Sequence, residues 1–590
     1  RVSEMRLTLV LLPLFFIQGY FTGDLDEVKE LHHIHENIGK MEKLMTRWNR
    51  LHPLTYPPLP ANVEAILEEY MKETKDVKPS IPADSYGLEA AGLIEGDIIP
   101  SDEDIAELES KLRGETGEKR GKRTASFKNA RDWRVEKPIP FAISQSFSEK
   151  TKEIIRAALR TFKENTCIEF EEHSTPLGLY FMADEKSCSS VLGDVRGSED
   201  GHQPILFAEQ CFQGMNTVQH EVMHALGFVH TMNRPDREQY MWFNAKALHP
   251  EVKISNFDVV HPYLVEDFSI PYEYNSVMHY SAAAGSKDGS LIVWPKKTEY
   301  VYSVGNRHGP TFNDWKAINT RYNCPERNCN QKIDCLHKGY QNSRDCSRCV
   351  CPIFYTGKSC EIHVNATNME QGDEPKSFSF DKPFEDNYNY SVVDFSEFNN
   401  EMRVIKAPEG QRIRITLDKI QSREGMDCAR ECFLNAIEIV DEDLSLVGKR
   451  FCCSHNTSGT FVSKSNVVGY KVFSAPGLGF SSRVTFSIEP SIVEPPTTVP
   501  TSDASTATTE TTESGTETPS TVDQDENPTT ELPDTAESST DETHTDEHVT
   551  MAEEPSIDPV ANGASTEITT YEFSESATGV PNIGEMGGIS

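Results

Sequence analysis

"VQHEVMHALGFVHTMNRPDR", residues 218–237, decides how this chain is read. Three histidines, His220, His224 and His230, stand four and then six positions apart, with Glu221 behind the first and Gly227 inside the longer gap. On a helix, positions i and i+4 share one face, so His220 and His224 can grip a single ion. Glu221 is one step round, near enough to touch a water on that ion without ligating it. Gly227 takes positive φ without penalty, so the backbone can turn there and bring His230 back to the same point. Three neutral imidazoles leave the fourth position of a tetrahedral zinc to water, the pattern of a catalytic rather than a structural site. A zinc there lowers the water's pKa towards about 7 and polarises a carbonyl, and Glu221 is then the general base.

H-E-x-x-H-x-x-G-x-x-H should arise by chance in roughly one chain in 10⁴ of this length, so the motif outweighs a reading of core histidines on a buried helix. With a downstream methionine turn it is the metzincin signature. "YNSVMHY" (274–280) supplies that turn, with Met278 expected as an apolar floor under the histidines and Tyr280 projecting a phenol beside the metal. "HEVMHALGFVHTMNRPDR", "SVMHY" and "GNRHGPTFNDWKAINTRYNC" (305–324) together resemble the astacin zinc endopeptidases over about residues 124–324. The resemblance implies that His220, His224 and His230 ligate zinc, that Glu221 is the base, and that Tyr280 is a further ligand. That tyrosine would swing off the metal to stabilise an oxyanion, as such sites require. It also implies disulfides Cys167–Cys324 and Cys188–Cys211, pairings that sequence alone does not choose. One departure is Thr231, where the family usually has a glutamate that pairs with the mature N-terminal amine.

Working outward, Met5-Arg6 precedes the apolar run "LTLVLLPLFFI" (7–17), and 1–19 reads as a signal peptide. Residues 20–123 are charged and mostly helical in period, and they end at Arg120-Gly121-Lys122-Arg123, the form cut by secretory-pathway convertases. They read as a propeptide released after Arg123 by an activating convertase. Members of the resembled family silence the zymogen with an aspartate on zinc. "FTGD" (21–24) and "LIEGDII" (93–99) both offer one, and Asp97, with its apolar flanks, is the preferred switch. In the protease region "PIPFAIS" (138–144) alternates like a strand, Ser148 caps a helix over 148–165, "LGLYFM" (177–182) is a second strand, and "NTVQHEVMHALGFVH" is a second helix.

Residues 325–361 hold six cysteines with too few apolar residues for a core, and resemble an EGF-like module. Cys351–Cys360 is the expected closing bridge, and the other pairings stay open. Residues 365–489 recur in short β-rich runs and resemble a CUB-like sandwich. Asn435 stands where calcium-binding members use Asp. Sequons begin at Asn365, Asn389 and Asn456. From 490 to 590 the chain is Ser-, Thr-, Pro- and Glu-rich, a composition that buries too little surface to fold and suits an O-glycosylated tail.

The formal net charge of −36 includes 22 acidic and no basic residues in 491–590. That balance gives no basic face for nucleic acid. No later apolar run is long enough to span a membrane. The 14 cysteines, mostly gathered in 324–360 and 428–453, fit an oxidising, extracellular setting. The expected architecture is α+β: a two-subdomain metzincin protease domain with an active-site helix and zinc cleft, a small disulfide-rich module, a β-sandwich and a disordered tail. The expected partners are extracellular protein substrates, and oligomeric state is left open. The rival class, a non-catalytic adhesion protein on a dead protease scaffold, would have lost Glu221 or a histidine, and none is lost.

Overall fold

Among the described residues three helices precede the first strand: α1 (Leu25–Leu51), α2 (Ala61–Glu73) and α3 (Asp102–Leu112). The last of these is capped reciprocally by Ser101 and Asp104, which satisfies backbone donors a helix start leaves open. The computed structural model describes residues 25–51, 59–73, 93–113 and 132–489, apart from 210, 213, 251, 253, 260–268, 306–307, 385–397, 423–431 and 453–458. The stretch read as a signal peptide, Arg123, Cys428, Cys453, Asn389, Asn456 and the tail lie outside the described residues.

A five-stranded sheet opens the protease region: β1 (Ile139–Ile143), β2 (Phe170–Glu172), β3 (Gly178–Ala183), β4 (Ser189–Ser190) and β5 (His202–Phe207), in the order β2-β1-β3-β5-β4. β4 alone runs antiparallel, at the edge. Side chains alternate between faces along a strand. Phe141, Ile143, Leu179, Phe181, Ile205 and Phe207 face α4 (Glu149–Asn165) and α5 (Met215–Ala225) in one core. Ser148 caps α4 by accepting from Thr151 N, at 3.1 Å. Ala142, Tyr180, Met182 and Leu206 form the opposite face, and the stripe Leu31, Ile34 and Ile38 of α1 covers them. Spaced by three and four, that stripe is one side of a helix. The N-terminal segment therefore covers the middle of that sheet face.

Beyond α5 the chain is mostly irregular, tied by the short pair β6 (Met241–Phe243) and β7 (Val293–Pro295), and it closes with α6 (Phe312–Arg321). Cys167–Cys324 ties the stretch after α4 to the end of the protease region, and Cys188–Cys211 links the residue before β4 to the stretch after β5. The next stretch is disulfide-rich: Cys329–Cys346, Cys335–Cys349 and Cys351–Cys360 knit two tiny hairpins, β8 (Tyr340–Gln341) with β9 (Cys349–Val350) and β10 (Tyr355–Thr356) with β11 (Ile362–His363).

Two stacked sheets follow. The first has the order β12 (Thr367–Asn368), β14 (Asn399–Lys406), β19 (Val467–Ser474), β16 (Asn435–Val440), β17 (Lys449–Phe451). The second has the order β13 (Lys376–Phe384), β20 (Leu478–Ile488), β15 (Ile413–Ser422), β18 (Gly459–Val462). β15 alternates buried and exposed, as a half-covered strand should, but every residue of β16 is buried. One face of β16 meets the sandwich core through Ile437 and Ile439, and Ala436 on the other belongs to the same apolar cluster as Tyr300, Val301 and Val304 of the protease region. The sandwich is fused to the protease rather than strung behind it.

Candidate active site

α5 carries His220, Glu221 and His224, and it stops sooner than its hydrophobic period suggests. The sequence reading ran the helix to His230, whereas the structure ends it at Ala225. Gly227 has φ of +90°, and a Cβ there would sit 2.6 Å from Arg321 Nη2, so the turn needs glycine. Trp133 Nε1 donates to Ala225 O and Tyr322 OH to Leu226 O, capping carbonyls the helix leaves open. After the turn His230 lies in extended backbone and points back at the helix.

The three rings converge. His220 Nε2 is 3.1 Å from His224 Nε2 and 3.3 Å from His230 Nε2. His220 Nδ1 faces Val277 O at 2.8 Å and His224 Nδ1 faces Phe228 O at 2.7 Å, while His230 Nδ1 faces Glu95 Oε2 at 3.0 Å. A carbonyl or carboxylate oxygen accepts only, so each Nδ1 is the donor and each neutral ring turns a lone pair inward from Nε2. Lone pairs that close repel one another unless a cation lies between them. Zinc–nitrogen bonds of about 2.0–2.1 Å set tetrahedral edges of about 3.3–3.4 Å, close to the spacing seen. The donor set therefore fits zinc.

Asp97 completes the cluster from the N-terminal segment. Its Oδ2 is 3.0 Å from His230 Nε2 and 3.3 Å from His220 Nε2, and its Oδ1 is 3.4 Å from His224 Nε2. Among the described residues, these four are the group able to share one ion. Residues 93–99 arrive as a tight turn, Ile94 bridging Ile98, and Ile98 then runs parallel to Ser190 on the edge strand. Ile99 N donates to Ser190 O, and Ser190 N to Asp97 O. Glu95, at φ 53°, accepts from both His230 N and His230 Nδ1, and its carbonyl accepts from Tyr280 OH. Glu95 was not singled out from sequence; its place beside Gly96-Asp97, in a turn lodged in a histidine cluster, was the available signal.

Burial pushes the Glu221 carboxyl well above the usual carboxylate range, and the Asp97 charge adds to that push. Burial alone would raise Asp97 too, but the neighbouring His230 and His224, when protonated, and the bonds the rings then donate hold it well below its ordinary value. Glu221 Oε2 is buried with no hydrogen-bond partner, an orphan acceptor beside the cluster. Tyr280 is buried, its ring centroid 4.4 Å from that of His230, and its hydroxyl also reaches Asp97 Oδ2 at 3.5 Å. Met278 is buried in the core that carries α5, and its carbonyl accepts from Thr231 N at 2.8 Å. His279 takes no part in the cluster: it bonds Tyr272 OH and Tyr280 O, and burial drops it to about 4. Asn365 is exposed, its amide donating to Met402 O at 2.9 Å. Asn435 is buried and accepts from Ser422 Oγ at 3.3 Å.

A turn-broken helix with three inward imidazoles, a glutamate beside them and a methionine turn below define a metzincin-type zinc peptidase. Residues 125–323 match the Astacin peptidase family. Zinc metalloproteinase nas-23 of Caenorhabditis elegans is 30% identical over 390 residues, which cover 64% of this chain and 68% of that protein. Zinc metalloproteinase nas-28 of the same species is 28% identical over 401 residues, covering 67% and 78%. High choriolytic enzyme 1, a hatching enzyme zinc-protease from Oryzias latipes, is 29% identical over 33% of this chain and 94% of that one, with a TM-score of 0.30. The chain belongs to the astacin family and is a zinc metalloendopeptidase. No helix among the described residues is long and apolar enough to cross a membrane.

Proposed function

We propose that the chain is a secreted endopeptidase made as a zymogen, with zinc held by His220, His224 and His230, and that it hydrolyses extracellular proteins. The observation that carries this reading is the convergence of three Nε2 atoms beside the orphaned carboxylate oxygen of Glu221. Zinc supplies Lewis acidity there, polarising the scissile carbonyl and making a water acidic enough to be deprotonated near neutral pH. Glu221 takes the proton of the attacking water and returns it to the leaving amine, so the C–N bond breaks without expelling an amide anion. Tyr280, once released from Glu95 O, donates its phenolic hydrogen to the developing oxyanion.

Asp97 is the latency switch in this reading. Its carboxylate sits where substrate oxygen and water would compete, and Glu95 holds Tyr280 away from its task. A convertase cutting after Arg123 frees the segment, with 1–19 as signal peptide and 20–123 as propeptide. The interleaved bridges Cys329–Cys346 and Cys335–Cys349, followed by Cys351–Cys360, support an EGF-like module over 325–361, and the stacked sheets support a CUB-like domain over 365–489. The composition of 490–590 supports a glycosylated tail, and the sequons at Asn365, Asn389 and Asn456 are acceptor sites. The disulfides of the described residues favour an oxidising compartment.

The test is hydrolysis of a denatured protein by chain cut after Arg123, with and without a zinc chelator. Chelation should abolish activity. Glu221→Ala should fold, keep zinc and lose roughly 10²- to 10⁴-fold in kcat. Turnover equal to the parent by that variant overturns the reading.

A further inference from the structure

His220 is oriented by one backbone carbonyl, that of Val277. That carbonyl belongs to a turn held on both sides. Asp314 fixes it from α6: Oδ2 accepts from Val277 N at 2.9 Å, and Oδ1 accepts from Ser276 Oγ at 2.6 Å. The other side is held from the sandwich. Arg450 of β17 donates through Nη2 to Asn275 Oδ1 at 3.0 Å, while its Nε donates to Glu438 Oε2 of β16 at 3.1 Å. Arg450, Glu438 and Asn275 are each at most 2% exposed.

Three more bonds join the loop before β17 to the same part of the protease. Val447 N donates to Glu273 Oε1 at 3.1 Å, Ser303 Oγ to Gly448 O at 2.7 Å, and Asn313 Nδ2 to Ser445 O at 3.0 Å. Asn275 passes the constraint on, its Nδ2 donating to Ser303 O at 3.1 Å and to Gly305 O. Residues 445–450 thus touch the residues flanking the turn, Glu273 and Asn275, and the residue next to Asp314. A planar guanidinium with fixed donor directions suits such a brace, because it ties two acceptors at a set angle. A buried ion pair is weak support for stability but a good device for choosing one geometry.

We infer that Arg450 is a positioning residue for the metal site: by holding Asn275 it fixes the turn whose carbonyl orients His220, so the sandwich sets how tightly the protease holds zinc. This rests on the reading of His220 as a zinc ligand. Groups behind a metal ligand typically change metal affinity or activity by about 10- to 100-fold, and one further bond away we expect the lower end of that range.

The test is zinc release from the full, uncut chain into a chromogenic chelator. Arg450→Met and Asn275→Ala should each speed release about 10-fold or more, and the double variant should be no faster than Asn275→Ala alone, because that change already removes the bond the two share. Glu438→Gln, nearly isosteric, should give a smaller acceleration and stands in for Arg450→Met should that variant not fold. Val484→Ala, in the core between the sheets and away from the clamp, removes packing without touching the clamp's bonds and should leave release unchanged. After activation, Arg450→Met should lower kcat with KM within about two-fold, the split expected when a transition-state contact is lost. Release at the parental rate in folded Arg450→Met and Asn275→Ala overturns the inference, as does equal acceleration by Val484→Ala. A parent chain that binds no zinc, or binds it equally with His220→Ala, sinks instead the ligand reading beneath it.

Discussion

Two parts of this chain grip the protease from different sides, and they do so by opposite means. The N-terminal segment covers one sheet face with a thin apolar stripe and inserts one polar tip, Glu95-Gly96-Asp97, into the histidine cluster. One of its polar links is partly open: His202 Nε2 meets Glu30 Oε1 at 2.9 Å with side chains 32% and 27% exposed. The sandwich merges its core with that of the protease and buries an Arg450–Glu438 pair with almost no exposure. Open ion pairs contribute little and can be given up, whereas parting the sandwich from the protease would expose the shared apolar cluster and break the buried Arg450–Asn275 bond. On the proposed zymogen reading, the first interface parts on activation and the second lasts.

The sharpest challenge to that contrast is Phe473→Ala. Phe473 is buried where the sandwich meets the protease, 5.1 Å from the His308 ring and under the Arg450 guanidinium. Truncating a buried phenylalanine costs about 3–5 kcal/mol. Because the two regions share a cluster, calorimetry should show one transition moving down as a whole. Two separated transitions, with only one displaced, would mean a tethered sandwich and would break the comparison.

Next in size is Asp97→Ala in chain that cannot be cut because Arg123 is also replaced. Hydrogen bonds involving charged groups contribute about 1.5–3 kcal/mol each, and Asp97 faces three rings. We expect hydrolysis of a denatured protein to rise on the order of 100-fold over the uncut parent. Continued silence would show that the α1 stripe, rather than the carboxylate, enforces latency.

The parts of this architecture visible in sequence are those encoded over a few residues. The i, i+4 histidines, Gly227, the Ser148 cap and the alternation of Ile139, Phe141 and Ile143 all act within a turn or a strand, and the structure has the helix and strand they imply. Asp97 stands out only through the family resemblance, which asks for an aspartate on zinc, with the apolar flanks deciding between it and Asp24. Glu95 and Arg450 do not, since their partners His230 and Asn275 lie 135 and 175 positions away. The end of α5 was overrun for a related reason: hydrophobic period continues through Leu226 and Phe228, yet Gly227 at positive φ and the capping of the last carbonyls by Trp133 and Tyr322 stop the helix. Six cysteines allow fifteen pairings, so Cys329–Cys346 and Cys335–Cys349 could come only from folding.

The smallest effect tests whether the separable interface responds to pH. The Glu30 hydrogen bond raises His202 above its ordinary value near 6.5, with burial opposing. A raised histidine contributes docking strength that is complete below about 6.5 and is lost as pH climbs through the docked value. Asp184 takes the other sign. Burial would raise it, but the His35 imidazole, 2.9 Å away, holds it below its ordinary value, so its contribution fades only as pH falls under about 3.9. Docking should be firmest between about 4 and 6.5 and loosen towards 8. Because the His202 pair is about a third open to solvent, the change should be only a few-fold. Hydrogen exchange of α1 amides in the uncut chain, corrected for intrinsic rates, should report faster opening at pH 8 than at pH 6, and Glu30→Gln should flatten that difference. No such dependence in the parent would show that the apolar stripe alone holds the segment, and the two interfaces would then differ in size rather than in kind.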